Sequence, residues 1–273
     1  MIKLGSHVSF KAPDYLLGSA KEAISYGSNT MMIYLGPPQN TIRASFDKYK
    51  LNEYREKFEH VLKPEDILVH APYIVNPASP EKWRFARDFL ISEIERMNFI
   101  GAKYLVLHPG AHTKFSREEA IDILVKTIKE IINHTKNVHI LLETMAGKGT
   151  ELGTSFYEMS LIIKKIDSTR VGVCLDTCHV WESGINIKSF DLLISELNHY
   201  DLLKKIKAIH VNDSKNLRGA KKDRHENIDQ GQIGLKALKK IVHAPEFDNV
   251  IKILETPWVN GKPIYKQEIK WLK

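Results

Sequence analysis

Histidines and carboxylates recur in this chain at one kind of position, the end of a short apolar run. His7 closes IKLGSH (2–7), His70 sits near the end of DILVHA (66–71), His108 in KYLVLHP (103–109) and Glu143 in VHILLET (138–144). Asp176 closes VGVCLD with His179 just beyond, His210 falls in IKAIHVN (206–212), and Glu255 in VIKILET (250–256). Asp223 and His225 lie in the stretch after His210. Singly, each has a plain explanation. A strand histidine is more often a satisfied core residue than a ligand, and a carboxylate before a loop is more often a cap or an ion-pair partner. Together they would gather charge on one buried rim, which is strongly unfavourable without compensation. Divalent cations supply that compensation. Nitrogen and oxygen donors without thiolate suit zinc, with manganese or iron as substitutes. Nine candidate ligands among these positions exceed the needs of one tetrahedral ion. They suit two or three ions with a carboxylate bridging a pair. Centres of this kind stabilise both the attacking and the leaving oxygen of an in-line displacement at phosphorus, so phosphoester hydrolysis is the expected chemistry.

The stretch VGVCLDTCHV (171–180) holds both cysteines of the chain, Cys174 and Cys178. A secreted disulfide framework needs more cysteines, spread along the sequence. Their CxxxC spacing matches neither a redox motif nor a zinc knuckle. They are expected to be reduced and to pack, leaving Asp176 and His179 as the working groups.

The elements that must position these groups alternate along the whole chain. The apolar runs named above, with TMMIYL (30–35), read as buried parallel strands. Helical patterns lie between them, including KWRFARDFLISEIERM, TSFYEMSLIIKKI, FDLLISELNHYDLLKKI and GLKALKKIV, and SREEAIDILVKTIKEII opens with a capping box at Ser116 and Glu119. Eight strand–helix units in 273 residues predict an α/β (β/α)8 TIM barrel, one domain over 1–273, with chemistry at the C-terminal ends of the strands. A doubly wound sheet would show a Gly-rich phosphate turn after its first strand, and GSHVSFKAPD has none. MAGKGTELG (145–153) fails as a P-loop because Gly149 follows Lys148, and it reads as a flexible loop. His60, His134, His199 and His243 fall in helical patterns, away from this chemistry.

The composition, 43% hydrophobic, supports a sizeable core, and no run of about 18 apolar residues occurs. The opening MIKLGSHVSF has no apolar signal region, so an intracellular, cytoplasmic protein with no membrane contact is expected. The net charge of +7 permits a polyanionic partner. SKNLRGAKKDRH (214–225) concentrates Lys215, Arg218, Lys221, Lys222 and Arg224, which on charge alone reads as a solvated loop.

HAPY (70–73), LHPGAH (107–112), LLETMAGKG (141–149), VGVCLDTCH (171–179), HVNDSK (210–215), DRHENI (223–228) and LETP (254–257) together resemble endonuclease IV, the zinc-dependent apurinic/apyrimidinic (AP) endonuclease family of DNA base-excision repair. The resemblance covers nearly the whole chain. It implies three zinc ions: His70, His108 and Glu143 on the first, Glu143 bridging to a second completed by Asp176, His210 and Glu255, and His179, Asp223 and His225 on the third. It implies cleavage of the phosphodiester on the 5′ side of an abasic site in duplex DNA, leaving a 3′-hydroxyl and a 5′-deoxyribose phosphate, with a metal-activated hydroxide as nucleophile. It makes Tyr73 and Ile74 in HAPYIVN the residues of a wedge, and Lys221, Lys222 and Arg224 phosphate contacts. A monomer is expected. Two departures stand out. Gln39 in GPPQNTIR (36–43) lies about where some members carry an intercalating arginine, a role Arg43 could take over, and Asp229 and Gln230 stand where members commonly show Gly and Glu. The alternatives are a metal-dependent sugar isomerase or epimerase on a similar barrel, with one or two metals and no third triad, and a non-catalytic nucleic-acid-binding barrel.

Overall fold

The computed structural model describes residues 2–273. Eight parallel strands close into a barrel: β1 (Leu4–His7), β2 (Met31–Ile33), β3 (Ile67–His70), β4 (Tyr104–Leu107), β5 (His139–Glu143), β6 (Val171–Asp176), β7 (Ile206–His210) and β10 (Ile251–Leu254). Between β7 and β10, two short strands, β8 (Asp213–Ser214) and β9 (His225–Glu226), pair antiparallel. The outer helices are α1 (Tyr15–Ser25), α2 (Leu51–Phe58), α3 (Trp83–Ile100), α4 (Arg117–His134), α5 (Phe156–Ile166), α6 (Thr177–Ser183), α7 (Phe190–His199), α8 (Leu235–Val242) and α9 (Tyr265–Leu272). Among the described residues no helix is long and apolar enough to cross a membrane.

The helices start and stop for local reasons. The Ser116 hydroxyl accepts from the Glu119 amide at 3.1 Å, as the capping box requires, and Ser155 does the same for Glu158 at 3.2 Å. Gly101 (φ 95°) ends α3 and Gly184 (φ 117°) ends α6, both in the left-handed region where a side chain is strained. Helix α6 is not foreseen by the sequence pattern, because it springs directly from β6: Asp176 Oδ1 caps it by accepting from His179 N at 2.8 Å. The pattern FDLLISELNHYDLLKKI is not one helix. Helix α7 ends at His199, and Asp201 turns the chain at φ 59°. His60 lies in the turn after α2 and His243 just beyond α8, so neither is within a helix.

Strand residues alternate between two cores. Ile33, Val69, Leu105, Leu142, Val173 and Leu175 face outward under the apolar stripes of the helices, such as Leu90, Ile94, Leu124 and Ile128. Each buried side chain of this size contributes about 1.5–3 kcal/mol. Met32, Leu68, Val106, Leu141, Cys174, Ala208, Ile251 and Ile253 face inward and fill the barrel. Cys174 and Cys178 are free and buried, as expected, and burial pushes the Cys174 thiol up to about 12, so it remains protonated.

One irregularity positions the site. Val173 pairs with Ile206, but Cys174 pairs with Ala208, so Lys207 is an extra residue on β7. Ile206 faces the outer core and Ala208 the barrel interior, although they are two residues apart. A regular strand would put both on one face. The bulge reverses the alternation, and His210, level with Asp176, joins Ala208 on the inner side.

Candidate metal centre

The barrel filling and the site form consecutive layers. On every barrel strand except β1, an inward apolar residue is followed two positions later by a residue of the rim. Met32 precedes Tyr34, Leu68 precedes His70, Val106 precedes His108 and Leu141 precedes Glu143. Cys174 precedes Asp176, Ala208 precedes His210 and Ile253 precedes Glu255. Strand alternation thus carries the ligand types to the C-terminal mouth, one step above an apolar floor.

Glu143 occupies the middle, fully buried. Its Oε2 lies 3.1 Å from His70 Nε2 and 3.2 Å from His108 Nε2. Its Oε1 lies 3.1 Å from His210 Nδ1 and 3.4 Å from His179 Nδ1. Glu255 Oε2 approaches His210 Nδ1 at 2.9 Å. Asp223 Oδ1 is 3.0 Å from His179 Nε2 and 3.7 Å from His225 Nε2. Three groups with metal-binding spacing result: His70, His108 and Glu143; Glu143, Asp176, His210 and Glu255; and Asp176, His179 and His225. Glu143 therefore belongs to two groups. Asp176 also belongs to two, since its Oδ2 reaches His225 Nε2 at 3.6 Å, a sharing the sequence does not suggest. Asp223 touches the histidines of the third group from its loop side.

The electrostatics suit cations. Burial opposes charge on Glu143, but His210 and His108 hold its carboxyl well below the usual carboxylate range. Burial likewise works against protonation of His179, yet Asp176, Asp223 and Glu143 raise it well above an ordinary histidine. Burial also disfavours charge on Asp223, and His179 and His225 nevertheless bring it down to about 2. Among the described residues, His225 Nε2 faces the site and is buried with no hydrogen-bond partner. Buried orphans of this kind call for a partner that protein does not supply. The N/O donor set fits a divalent metal. Backbone carbonyls orient several rings: Ala71 O lies 2.7 Å from His70 Nδ1 and Thr144 O 2.9 Å from His179 Nδ1.

Sequence reasoning passes over several supports. Asn212 Nδ2 donates to Asp176 Oδ2 at 2.8 Å, and its Oδ1 accepts from Glu255 N at 2.9 Å. It lies two positions beyond His210, so the same alternation points to it. Tyr34, which offers no ligand atom of the expected kind, packs against His70 with ring centroids 5.0 Å apart and against His7 at 5.3 Å. His7 itself stays outside the three ligand groups.

The proposed nucleic-acid contacts divide. Tyr73 and Ile74, on the loop after β3, are 53% and 39% exposed. Gln39, Lys221, Lys222 and Arg224 are also exposed. Arg43 is corrected: it cannot take over the arginine role from where it lies, because it turns inward. Its Nε lies 2.8 Å from Glu93 Oε1, and its guanidinium sits 4.9 Å from the Phe89 ring. Asp229 adopts φ 67°, a left-handed conformation that glycine takes freely and aspartate tolerates. The loop keeps its shape through Asp213, whose carboxylate accepts from the amides of Asp229, Gly231, Ile233 and Gly234. The 145–153 loop is clasped, since Glu151 Oε2 accepts from Gly147 N and Lys148 N.

Residues 20–273 match the family described as the xylose isomerase-like TIM barrel. The class is therefore a parallel barrel with its polar site at the strand ends. Over 272 residues the chain is 57% identical to the probable endonuclease 4 of Mycoplasmopsis agalactiae, covering 100% of this chain and 98% of that protein. The crystal structure of endonuclease IV from Thermus thermophilus superposes with a TM-score of 0.85 at 25% identity, covering 99% of this chain and 98% of that one. The chain belongs to the endonuclease IV family, and it is an enzyme, a hydrolase built on an isomerase-like barrel. A D-tagatose 3-epimerase-like protein, with a TM-score of 0.73 and 21% identity over 98% of this chain and 94% of that one, shares the fold alone. The sugar isomerase reading therefore reaches no further than the barrel.

Proposed function

We propose that this enzyme cleaves duplex DNA at abasic sites, hydrolysing the phosphodiester 5′ to the lesion to leave a 3′-hydroxyl and a 5′-deoxyribose phosphate. The observation that carries the proposal is Glu143, whose two oxygens face separate sets of histidines at the barrel mouth of a chain related to endonuclease 4 proteins. Three zinc ions would be held by His70, His108 and Glu143, by Glu143, Asp176, His210 and Glu255, and by His179, Asp223 and His225, with Asp176 also near the last set. When bound, such ions supply Lewis acidity at phosphate oxygens and lower the pKa of water. Glu143 keeps the sets in fixed relation, and Asn212 holds Asp176 and the Glu255 backbone in place. Tyr73 and Ile74 would fill the space of the missing base, and an unpaired nucleotide is cheap to extrude. Lys221, Lys222 and Arg224 would neutralise phosphates. All nine ligands come from one chain, which supports action as a monomer, inside the cell where the DNA is.

The test is incubation with a duplex bearing one abasic analogue, with and without a chelator, followed by polymerase extension of the product. Nicking that chelator abolishes, with an extendable 3′ end, is expected. Binding without nicking, or a blocked 3′ end, would reject the proposal.

A further inference from the structure

Helix α6 carries His179 in its first turn and Glu182 one turn later. Glu182 is fully buried and contributes no ligand to the three groups. Its Oε2 accepts from Lys222 N at 2.7 Å and Asp223 N at 2.8 Å. Its Oε1 accepts from Ser214 Oγ at 2.7 Å, Asn216 Nδ2 at 3.1 Å and Arg224 N at 3.3 Å. The Glu182 carbonyl also accepts from Lys221 N at 3.1 Å. Lys221 and Asp223 hold left-handed φ values of 54° and 55°, a strained choice for residues with side chains. Consecutive amides turned toward one point by such angles form an anion-binding concavity. Here the anion is internal, and it is Glu182.

We infer that Glu182 is the positioning residue of the third ligand group, the side chain that folds the 214–225 loop so that Asp223 and His225 meet His179. This rests on the function proposed above. One helical turn then builds the whole group: His179 enters directly, and its partners are brought to it by the carboxylate one turn on. Without a buried acceptor at that point, three backbone amides would lose their partner, and the loop would keep no reason to hold its left-handed turns.

Glu182→Gln tests this, since the amide keeps the shape but replaces one acceptor oxygen by a donor facing amide N–H groups. Purified wild type and variant are compared for bound zinc by elemental analysis after dialysis, for hydrogen exchange at residues 221–225, and for nicking at increasing zinc. The expected result is one ion fewer per chain, faster exchange confined to that loop, and nicking that needs at least about tenfold more zinc, with the barrel still folded by circular dichroism. Full zinc content with protected loop amides in Glu182→Gln would overturn the inference. If that variant does not fold, Glu182→Asp, which keeps the charge and withdraws it by one methylene, is expected to show the same pattern in weaker form, and wild-type zinc content and exchange in it would overturn the inference equally. Wild type in the same assays separates the two readings: wild type that fails to nick abasic duplex rejects the function, whereas the exchange and zinc differences between variant and wild type still judge Glu182.

Discussion

At the scale of single residues, the centre turns on one carboxylate. Glu143 Oε1 and Oε2 face different histidines, so replacing either oxygen breaks one side of the arrangement. Glu143→Gln is expected to lower nicking by at least about a hundredfold while leaving the barrel folded, because removal of even one charge-stabilising group costs about 10²–10³ in rate. Near wild-type turnover with normal metal content would show that Glu143 does not bridge. Tyr73 makes a different prediction. Its exposed ring should stack in the gap of a missing base, so Tyr73→Ala should weaken abasic duplex binding by about 1–3 kcal/mol and spare intact duplex. Replacing Lys221 and Lys222 together should weaken both duplexes alike and flatten the salt dependence. Titrations of the two duplexes at several salt concentrations check both, and equal losses for Tyr73→Ala on the two would remove its role as a lesion reader.

At the scale of elements, the decisive feature is a residue that touches nothing in the site. Lys207 is the inserted residue of the β7 bulge, and its ammonium donates to the Lys204 carbonyl at the surface. Lys207→Ala should therefore change stability by no more than about 0.5 kcal/mol. Deleting Lys207 should remove the bulge and leave regular alternation in the same register, with Ala208 still opposite Cys174 and His210 still opposite Asp176 on the inner side, so the centre should keep its metal. Elemental analysis of the two variants decides the matter, and a folded deletion variant that has lost its metal would refute the account of the bulge. This feature also marks the limit of what is legible in the sequence. The barrel and its rim can be read because buried parallel strands are short apolar runs, and His70, His108, Glu143, Asp176, His210 and Glu255 interrupt them at the same place. The alternation of IKAIHVN looks regular, and the bulge becomes visible only once β6 lies beside it. Arg43 misleads for a related reason: its partner Glu93 lies on α3, fifty residues away, and local sequence does not announce such pairs. Helix α6 is hidden because Asp176 is at once strand end, ligand candidate and helix cap.

For the molecule as a whole, the charge state of the mouth couples metal content to pH. Despite burial, neighbouring carboxylates raise His179 in the metal-free protein, and His210 is raised well above the usual value as well. Their contribution to metal-free stability is present below the ordinary histidine value near 6.5 and is lost as pH rises through the raised values. The lowered Glu143 and Asp223 contribute above the ordinary carboxylate range and lose that contribution as pH falls, for Asp223 toward about 2. Metal ligation needs neutral imidazole, so loading expels protons. The gap in melting temperature between loaded and stripped protein should widen from about pH 6 to about pH 8, and a constant gap in paired melting curves would contradict this. The apolar floor beneath the ligands has a kinetic meaning as well. Met32, Leu68, Val106, Leu141, Cys174 and Ala208 lie beneath the ligands with no solvent exposure, so the floor is sealed and the mouth is the open door. That door is also the face a duplex would cover. A chelator should strip the free enzyme quickly and the duplex-bound enzyme slowly, the delay following the lifetime of the complex, whereas equal stripping rates would reveal a second way out.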